Sequence, residues 1–279
     1  MSASPHTFRH ARSIDRSVAT RLISALANEQ QAGDVYECHS HDRAQLLYAS
    51  VGVMSVLTPD GGFVVPPQRA LWLPARTQHE VHFRSRTSVR TLYIEPHAHA
   101  RLPRQCRIIE VSELLRALIL EAVNLRGGYE VARREEHIME LIPLEIVAMP
   151  ATPLHAPMPS EERLARVCRA IFRQPSLEKG LDECARSAGV SARTLCRLFR
   201  RETGMSFAAW RQHIRLLEAM SRLAVGHAVG TVAFDVGYHS ASAFTAMFRR
   251  AFGTTPKQYF STHKDSPAVS RPLAAARRP

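Results

Sequence analysis

The sequence predicts a two-domain α+β chain: a front half of short strands forming a small β-barrel with flanking helices, and an all-α rear half built around two helix-turn-helix motifs. Three observations predict it. Short strand-forming runs separated by Pro, Gly, Asp and Ser recur between residues 34 and 95. Two helix–turn–helix patterns occupy the C-terminal third. Between the strand-forming half and these patterns, residues 143–160 hold Pro143, Pro150, Pro153, Pro157 and Pro159. A length of 279 residues suits two domains, and 45% hydrophobic composition can fill both cores.

In chain order, the strands are expected at Val35–Ser40, Gln45–Ala49, Gly52–Leu57, Gly62–Val65, Ala70–Leu73, Glu80–Phe83 and Val89–Glu95. Val111, Leu114, Leu115, Leu118, Ala122 and Leu125 then recur at helical spacing, and Leu141, Ile142 and Ile146 follow. Such apolar faces most often cover their own domain. The segment Met149–Pro159 reads as an extended linker, and Ser160-Glu-Glu opens the next helix. The expected division is 1–150 for the front domain, 151–160 for the linker, 161–264 for the helical domain and 265–279 for a disordered Pro/Ala/Arg-rich tail.

The first helix-turn-helix unit spans 181–199, with Gly189 in the turn and Ser191 as N-cap of its second helix. The second spans 231–250, with Gly237 and Ser240 in the same roles. Between them Phe207, Trp210, Ile214, Leu217 and Met220 recur every 3–4 residues, from the N-cap Ser206 to the stop at Gly226. A helix of about 20 residues is roughly 30 Å long, close to the roughly 34 Å of one DNA turn. It could set both reading helices in successive major grooves.

In the first reading helix Leu195, Leu198 and Phe199 turn inward, while Arg193, Cys196, Arg197 and Arg200 share the opposite side. Arginine suits guanine, because its fork donates to O6 and N7 together. Arginines on an arbitrary helix usually mark a solvated face; after a Gly-Val-Ser turn a DNA contact is the favoured reading. The second reading helix offers Ala241, Ser242, Thr245 and Ala246 outward, none capable of a bidentate base contact. Arg249 and Arg250 follow, placed for phosphates. The residues expected at DNA are therefore Ser191, Arg193, Thr194, Cys196, Arg197, Arg200 and Arg201 in the first unit. Ser240, Ser242, Thr245, Arg249 and Arg250 serve in the second.

Charge agrees. Residues 161–264 carry 17 Lys/Arg against 8 Asp/Glu, a net of +9, while residues 1–160 carry 17 against 16, a net of +1. A basic rear half is the footprint of phosphate binding. No apolar run approaches membrane-spanning length, and the polar N-terminus from Met1 to Arg12 lacks a signal-peptide centre. The chain is expected in the cytoplasm, with no membrane partner. Cys38, Cys106, Cys168, Cys184 and Cys196 lack metal-type spacing and read as free thiols.

Residues 161–263 resemble the DNA-binding domain of the AraC/XylS transcription regulators. The resemblance rests on Val229–Tyr259, with its Gly-Tyr-x-Ser-x-Ser-x-Phe…Phe-Arg-Arg-x-Phe-Gly-x-Thr-Pro core, and on Leu198–Phe207 upstream. It implies a seven-helix domain with two reading motifs, and a dimer seam on the front-domain helices around Val111–Leu125 and Leu141–Ile146. It places Arg193, Cys196 and Arg197, then Ser242, Thr245 and Ala246, where that family usually touches bases. A short residue at 246 departs from the long polar one common there.

The front half carries a second constellation: His39-x-His41, then Gln45, flanked by Gly33 and Gly52, and later Pro74-Ala-Arg-Thr-Gln-His79. In a strand His39 and His41 share a face, and Gln45 and His79 join them if their strands are neighbours. This resembles the two motifs of the cupin barrels, which implies a divalent metal held by these four residues. Gln45 stands where a Glu is usual, Arg76 where a Gly is usual, and Phe83 where an Asn is usual. Three imidazoles can still bind zinc, nickel or iron. A metal-free small-molecule pocket and plain packing stay open. Trp72, Tyr48 and Tyr93 either line that pocket or belong to the core.

The reading is a sequence-specific DNA-binding transcription regulator. A small-molecule effector or a divalent metal, bound by His39, His41, Gln45 and His79 with Trp72, would control it by shifting populations of the chain's arrangements. Its partners would be double-stranded DNA, the effector, a second copy in a homodimer, and RNA polymerase as far as the role allows. The chemistry is binding, not catalysis. The alternative is a cupin metal-dependent oxygenase or isomerase fused to a DNA-binding domain, which the uncharged Gln45 disfavours.

Overall fold

The computed structural model describes residues 7–8, 22–125, 132–152, 154–175 and 179–261. The expected tail at 265–279 lies outside them. Ten strands come first: β1 (Thr7–Phe8), β2 (Ile23–Gln30), β3 (Val35–His39), β4 (Ala44–Val51), β5 (Met54–Leu57), β6 (Gly61–Val65), β7 (Arg69–Leu73), β8 (His79–Phe83), β9 (Thr87–Ile94) and β10 (Arg107–Glu110). Helices α1 (Glu113–Asn124) and α2 (Ala132–Ala148) follow, then β11 (Ala151–Thr152) and β12 (His155–Pro157). The rest is helical: α3 (Glu162–Arg173), α4 (Leu181–Ser187), α5 (Ala192–Thr203), α6 (Phe207–Ala224), α7 (Val229–Asp235), α8 (Ala241–Phe252) and α9 (Pro256–Ser261).

The strands build two six-stranded sheets, ordered β1-β3-β8-β5-β6-β12 and β11-β10-β7-β4-β9-β2. The architecture is the expected α+β arrangement, with two mainly antiparallel sheets in place of a closed barrel. All seven strands expected from alternation are present. Among the described residues the unforeseen β2 pairs with β9 alone, at the end of its sheet, and its residues 26–29 are exposed. An edge strand wetted on both faces carries no period-two hydrophobic signal.

Side-chain parity sorts the second sheet into two faces. Leu46, Tyr48, Ala70, Trp72, Leu92, Ile94 and Ile109 pack against Leu115, Leu118 and Ile119 of α1 and Ile142 and Ile146 of α2. The intervening Leu47, Leu71 and Leu73 join the other core, with Met54, Val56 and Val81 of the first sheet. Ser112 opens α1 by accepting from Leu115 N. Pro143, expected to help end the front domain, instead lies inside α2. Apolar contacts of Ile138, Ile142 and Ile146 hold that helix through the missing N–H.

The proline-rich segment is bound at both ends. β11 pairs with β10, and β12 pairs with β6. The Trp210 indole of α6 donates to Pro157 O at 2.8 Å, and His213 Nε2 donates to His155 O at 2.7 Å. One cluster of buried apolar side chains runs from Leu57 and Val64 through Leu164, Ile171 and Phe172 of α3 to Trp210, Phe199 and Phe244. The segment is extended as expected, but the cores on its two sides are continuous.

Helix α3 is clamped onto the first sheet. Arg84, just past β8, donates to Phe172 O at 2.9 Å and Arg173 O at 3.2 Å, two carbonyls left open at a helix end. Arg173 answers with a bidentate pair to Glu80 at 2.8 and 3.0 Å. Gly62 of β6 lies against the Phe172 ring, so closely that a Cβ there would stand 2.6 Å from Cε2.

Candidate DNA-reading surface and histidine cluster

Among the described residues the rear half holds seven helices, α3–α9. In each reading unit a glycine turns the chain: Gly189 at φ +68° and Gly237 at φ +85°, the left-handed region that favours glycine. The next helix opens on a serine, Ser191 accepting from Thr194 N at 3.2 Å and Ser240 from Ala243 N at 3.1 Å. Thr194 is thus tied into the cap, its hydroxyl 3.0 Å from that of Ser191. Leu195 and Phe199 are fully buried beneath α5, as are Phe244 and Phe248 beneath α8.

Arg193, Cys196, Arg197 and Arg200 all lie exposed on one side of α5. Among the described residues none of these three arginines pairs with a carboxylate. Arg201 is bridged to Glu202 at 3.1 Å. On α8, Ser242, Arg249 and Arg250 are exposed and Thr245 half-buried, around a groove of about 670 Å³ that also takes in Ala246 and Thr255. α6 joins the two units over 18 residues, about 27 Å at 1.5 Å per residue.

In the front half, β3 and β8 are neighbours and His39 stands opposite His79. His41 follows β3. The ring centroids are 4.3 Å apart for His39–His79, 5.4 Å for His41–His79 and 6.2 Å for His39–His41. Their potential ligating atoms all fall within 4.8 Å of one another. Each ring is held through Nδ1 by a backbone carbonyl: His39 by Glu37 O at 2.7 Å, His41 by Arg43 O at 2.6 Å and His79 by Thr77 O at 2.9 Å. A carbonyl only accepts, so a neutral ring keeps its proton on Nδ1; at His39 and His79 this makes the buried Nε2 the acceptor atom, the second-sphere arrangement of metal-binding histidines. Burial lowers the pKa of His39, opposed by the Glu37 carbonyl and aided by neighbouring His41. The neutral form is the one that ligates.

His41 Nε2 is hydrogen-bonded to the Gln45 side-chain amide at 3.1 Å, so ring and amide must part before that nitrogen can ligate; the amide stands where the resembling motif has a carboxylate. Arg76, at the glycine position of that motif, adopts φ +63°. Its N–H donates to His41 O at 2.8 Å and its guanidinium pairs with Asp42. The loop therefore keeps the turn and loses only the glycine. Tyr93 stands opposite Gln45, and its ring meets His41 edge-on at 5.0 Å. Trp72 is a correction. It stands opposite Leu46, on the face covered by α1 and α2, and its indole donates to Pro103 O at 2.8 Å. Parity puts it across the sheet from Gln45, so it packs the core and does not face the histidines. Tyr48 is on that same covered face.

Sequence reasoning missed the residues that tie this cluster to the helical half. Glu80, His82 and Arg84 alternate with His79, Val81 and Phe83, and the outward set meets α3. The signal was the same parity that grouped His39 with His41. His82 hydrogen-bonds Glu80, and together with Arg173 it holds the Glu80 carboxyl down at about 2.

Comparison with known proteins agrees on both halves. An AraC-like ligand-binding domain model matches residues 24–142, and a helix-turn-helix domain model matches residues 184–262. The HTH-type transcriptional regulator NimR of Escherichia coli (strain K12) is 30% identical over 223 residues, 80% of this chain and 81% of that protein. The HTH-type transcriptional regulator RipA of Corynebacterium glutamicum is 38% identical over 103 residues, 37% of this chain and 31% of its own length. Among solved structures, ToxT from Vibrio cholerae aligns over 88% of this chain and 99% of its own, at 11% identity and a TM-score of 0.38.

Proposed function

The chain belongs to the AraC-type transcription regulators, and from that premise we propose how its domains divide the work. It is a DNA-binding regulator with an AraC-like ligand-binding domain, not an enzyme. The helical domain, 161–264, reads duplex DNA, with Arg193 and Arg197 supplying the base contacts and Arg249 and Arg250 holding the backbone. The front domain, 1–150, takes the effector at His39, His41, Gln45 and His79.

The effector we favour is a divalent transition metal. One observation carries this: three imidazoles with ligating atoms within 4.8 Å, each anchored through Nδ1 on a carbonyl. Three neutral nitrogens and an amide oxygen suit zinc or nickel better than calcium or magnesium. The bound ion would supply positive charge that draws β3, β4 and β8 together. The Tyr93 ring against His41 favours a second reading, an apolar organic effector at the same place.

A second copy of the chain would dock on α1 and α2, where Leu114, Leu141 and Leu144 are 41–50% exposed. No helix among the described residues is long and apolar enough to cross a membrane, and the regulator would work in the cytoplasm on the chromosome. The test is calorimetric titration of the purified chain with Zn²⁺ and Ni²⁺, beside selection of bound duplexes from a random pool with and without metal. A single site lost in His41→Ala, together with an enriched sequence, is expected. Absence of metal binding would overturn the metal reading, and absence of an enriched sequence would overturn the assignment of base contacts.

A further inference from the structure

A pocket of about 370 Å³ opens beside the first reading helix, between the starts of α4 and α6. Lys179, Arg200 and Arg211 supply its charge, and Leu181 and Phe207 its apolar wall. Arg211 donates to Lys179 O at 3.0 Å, which fixes the direction of its guanidinium. Among the described residues Lys179 Nζ pairs with Glu183 at 3.8 Å, a carboxylate itself half in solvent. Among the described residues the lining holds three cations, with one carboxylate at its rim.

Its place on the helix gives its meaning. At 100° per residue, Cys196, Arg200, Arg193 and Arg197 follow one another round about 100° of α5, with Cys196 at one border, Arg197 at the other, and Arg200 a turn further along the helix than Cys196. Cys196 and Arg200 both line the pocket; Arg193 and Arg197 do not. When α5 enters a major groove, its leading face meets base edges and its flanks meet the two sugar-phosphate strands that border the groove. A cationic pocket on the flank, with an apolar wall at one side, matches a phosphate and its attached deoxyribose.

We propose that Lys179, Arg200 and Arg211 seat a phosphodiester of the DNA backbone alongside the first reading helix. The proposal rests on the DNA-binding reading and adds to it two residues outside the helix-turn-helix stripe. Phosphate contacts position a protein without reading sequence. Lys179 and Arg211 therefore contribute to every duplex alike, and they set how deeply α5 enters the groove. Arg200 divides from Arg197 in role although both belong to the same exposed stripe.

The test uses the full chain and a random-sequence duplex, with binding measured from low to moderate salt. Each phosphate neutralised contributes about 0.9 to the slope of log affinity against log salt. Lys179→Gln and Arg211→Gln should each lower that slope by about 0.9 and the pair by about twice that. Their preference for a selected site over the random duplex should stay at the wild-type ratio. Arg163→Gln, on α3 and paired with Glu161, should leave the slope unchanged. If Arg211→Gln melts early, because Lys179 O loses its donor, Lys179→Gln alone decides. Wild-type slopes in a Lys179→Gln chain that still binds would overturn the seat and spare the DNA reading. So would a changed sequence preference, which would make the pocket a base contact. A wild-type chain with no affinity for any duplex would overturn both. Inorganic phosphate at constant ionic strength should not displace the duplex; if it does, the pocket is a free-anion site and the proposal fails.

Discussion

Gly62→Ala probes the joint between the two halves with a single methyl. The new Cβ would stand 2.6 Å from Phe172 Cε2 and 2.7 Å from Cδ2. Comfortable carbon contacts begin near about 3.5 Å, so the strand or the ring must give by about 1 Å. Neither can do so freely. Gly62 is paired on both sides, to Leu57 and to Ala156. Phe172 is 3% exposed at the end of a helix whose last carbonyls Arg84 holds. Overpacking of this kind costs about 1–3 kcal/mol, and truncating a buried Phe alone costs about 3–5 kcal/mol. The two losses compete for the same space, so Gly62→Ala/Phe172→Ala should be less damaged than their sum by roughly 1–3 kcal/mol. Urea unfolding of the four chains, followed by circular dichroism, measures the cycle. Additivity within about 0.5 kcal/mol would mean that methyl and ring never meet, and the close approach of β6 to α3 would be refuted.

Three further outcomes are expected. Arg197→Ala should cost about 1–3 kcal/mol on a selected site and relax preference at one base pair, while Arg249→Ala weakens all sequences and flattens the salt dependence; single-base variants at fixed salt separate them. Zinc at a hundredfold excess over its dissociation constant should stabilise the chain by about 2.7 kcal/mol. That gain should vanish in His41→Ala/His79→Ala without a change in metal-free DNA affinity, as thermal melts and duplex titrations would record. His213 and His155 both have pKa values lowered by burial, with the His155 carbonyl partly opposing this at His213 and the His213 charge adding to it at His155. A depressed histidine resists protonation when folded, so stability is full above about 6.5 and falls as pH drops below it. The melting temperature should decline from about pH 7.5 to about 5.5, and by less in His213→Gln; an identical decline would show that these rings do not contribute.

Much of this was legible in the sequence because each signal was local. Gly189 and Ser191, or Gly237 and Ser240, fix a turn and a cap within a few residues. His39, His41 and His79 needed only strand parity and one pairing. The failures are equally physical. Trp72 satisfied every compositional criterion for a pocket residue, but which face of β7 looks inward depends on where α1 and α2 land. Pro143 and its neighbours mark a break by composition, yet packing carries α2 through 143 and pairing draws 155–157 into a sheet. Lys179 and Arg211 lie 32 residues apart and share a pocket only because α4 and α6 start side by side.

Strand β8 is five residues long, and its two faces answer to different constraints. One side holds His79 against His39; the other holds Glu80 against Arg173, with Arg84 just beyond the strand on the last carbonyls of α3. A one-residue insertion after Gln78 would exchange the faces, bury a carboxylate among apolar side chains and turn the histidine to α3. No shift of register can therefore retune the cluster alone. Divergence of such sensors is confined to substitution in place along this strand, where a change of ligand chemistry and a change in the seating of the first DNA-domain helix are drawn from the same few codons.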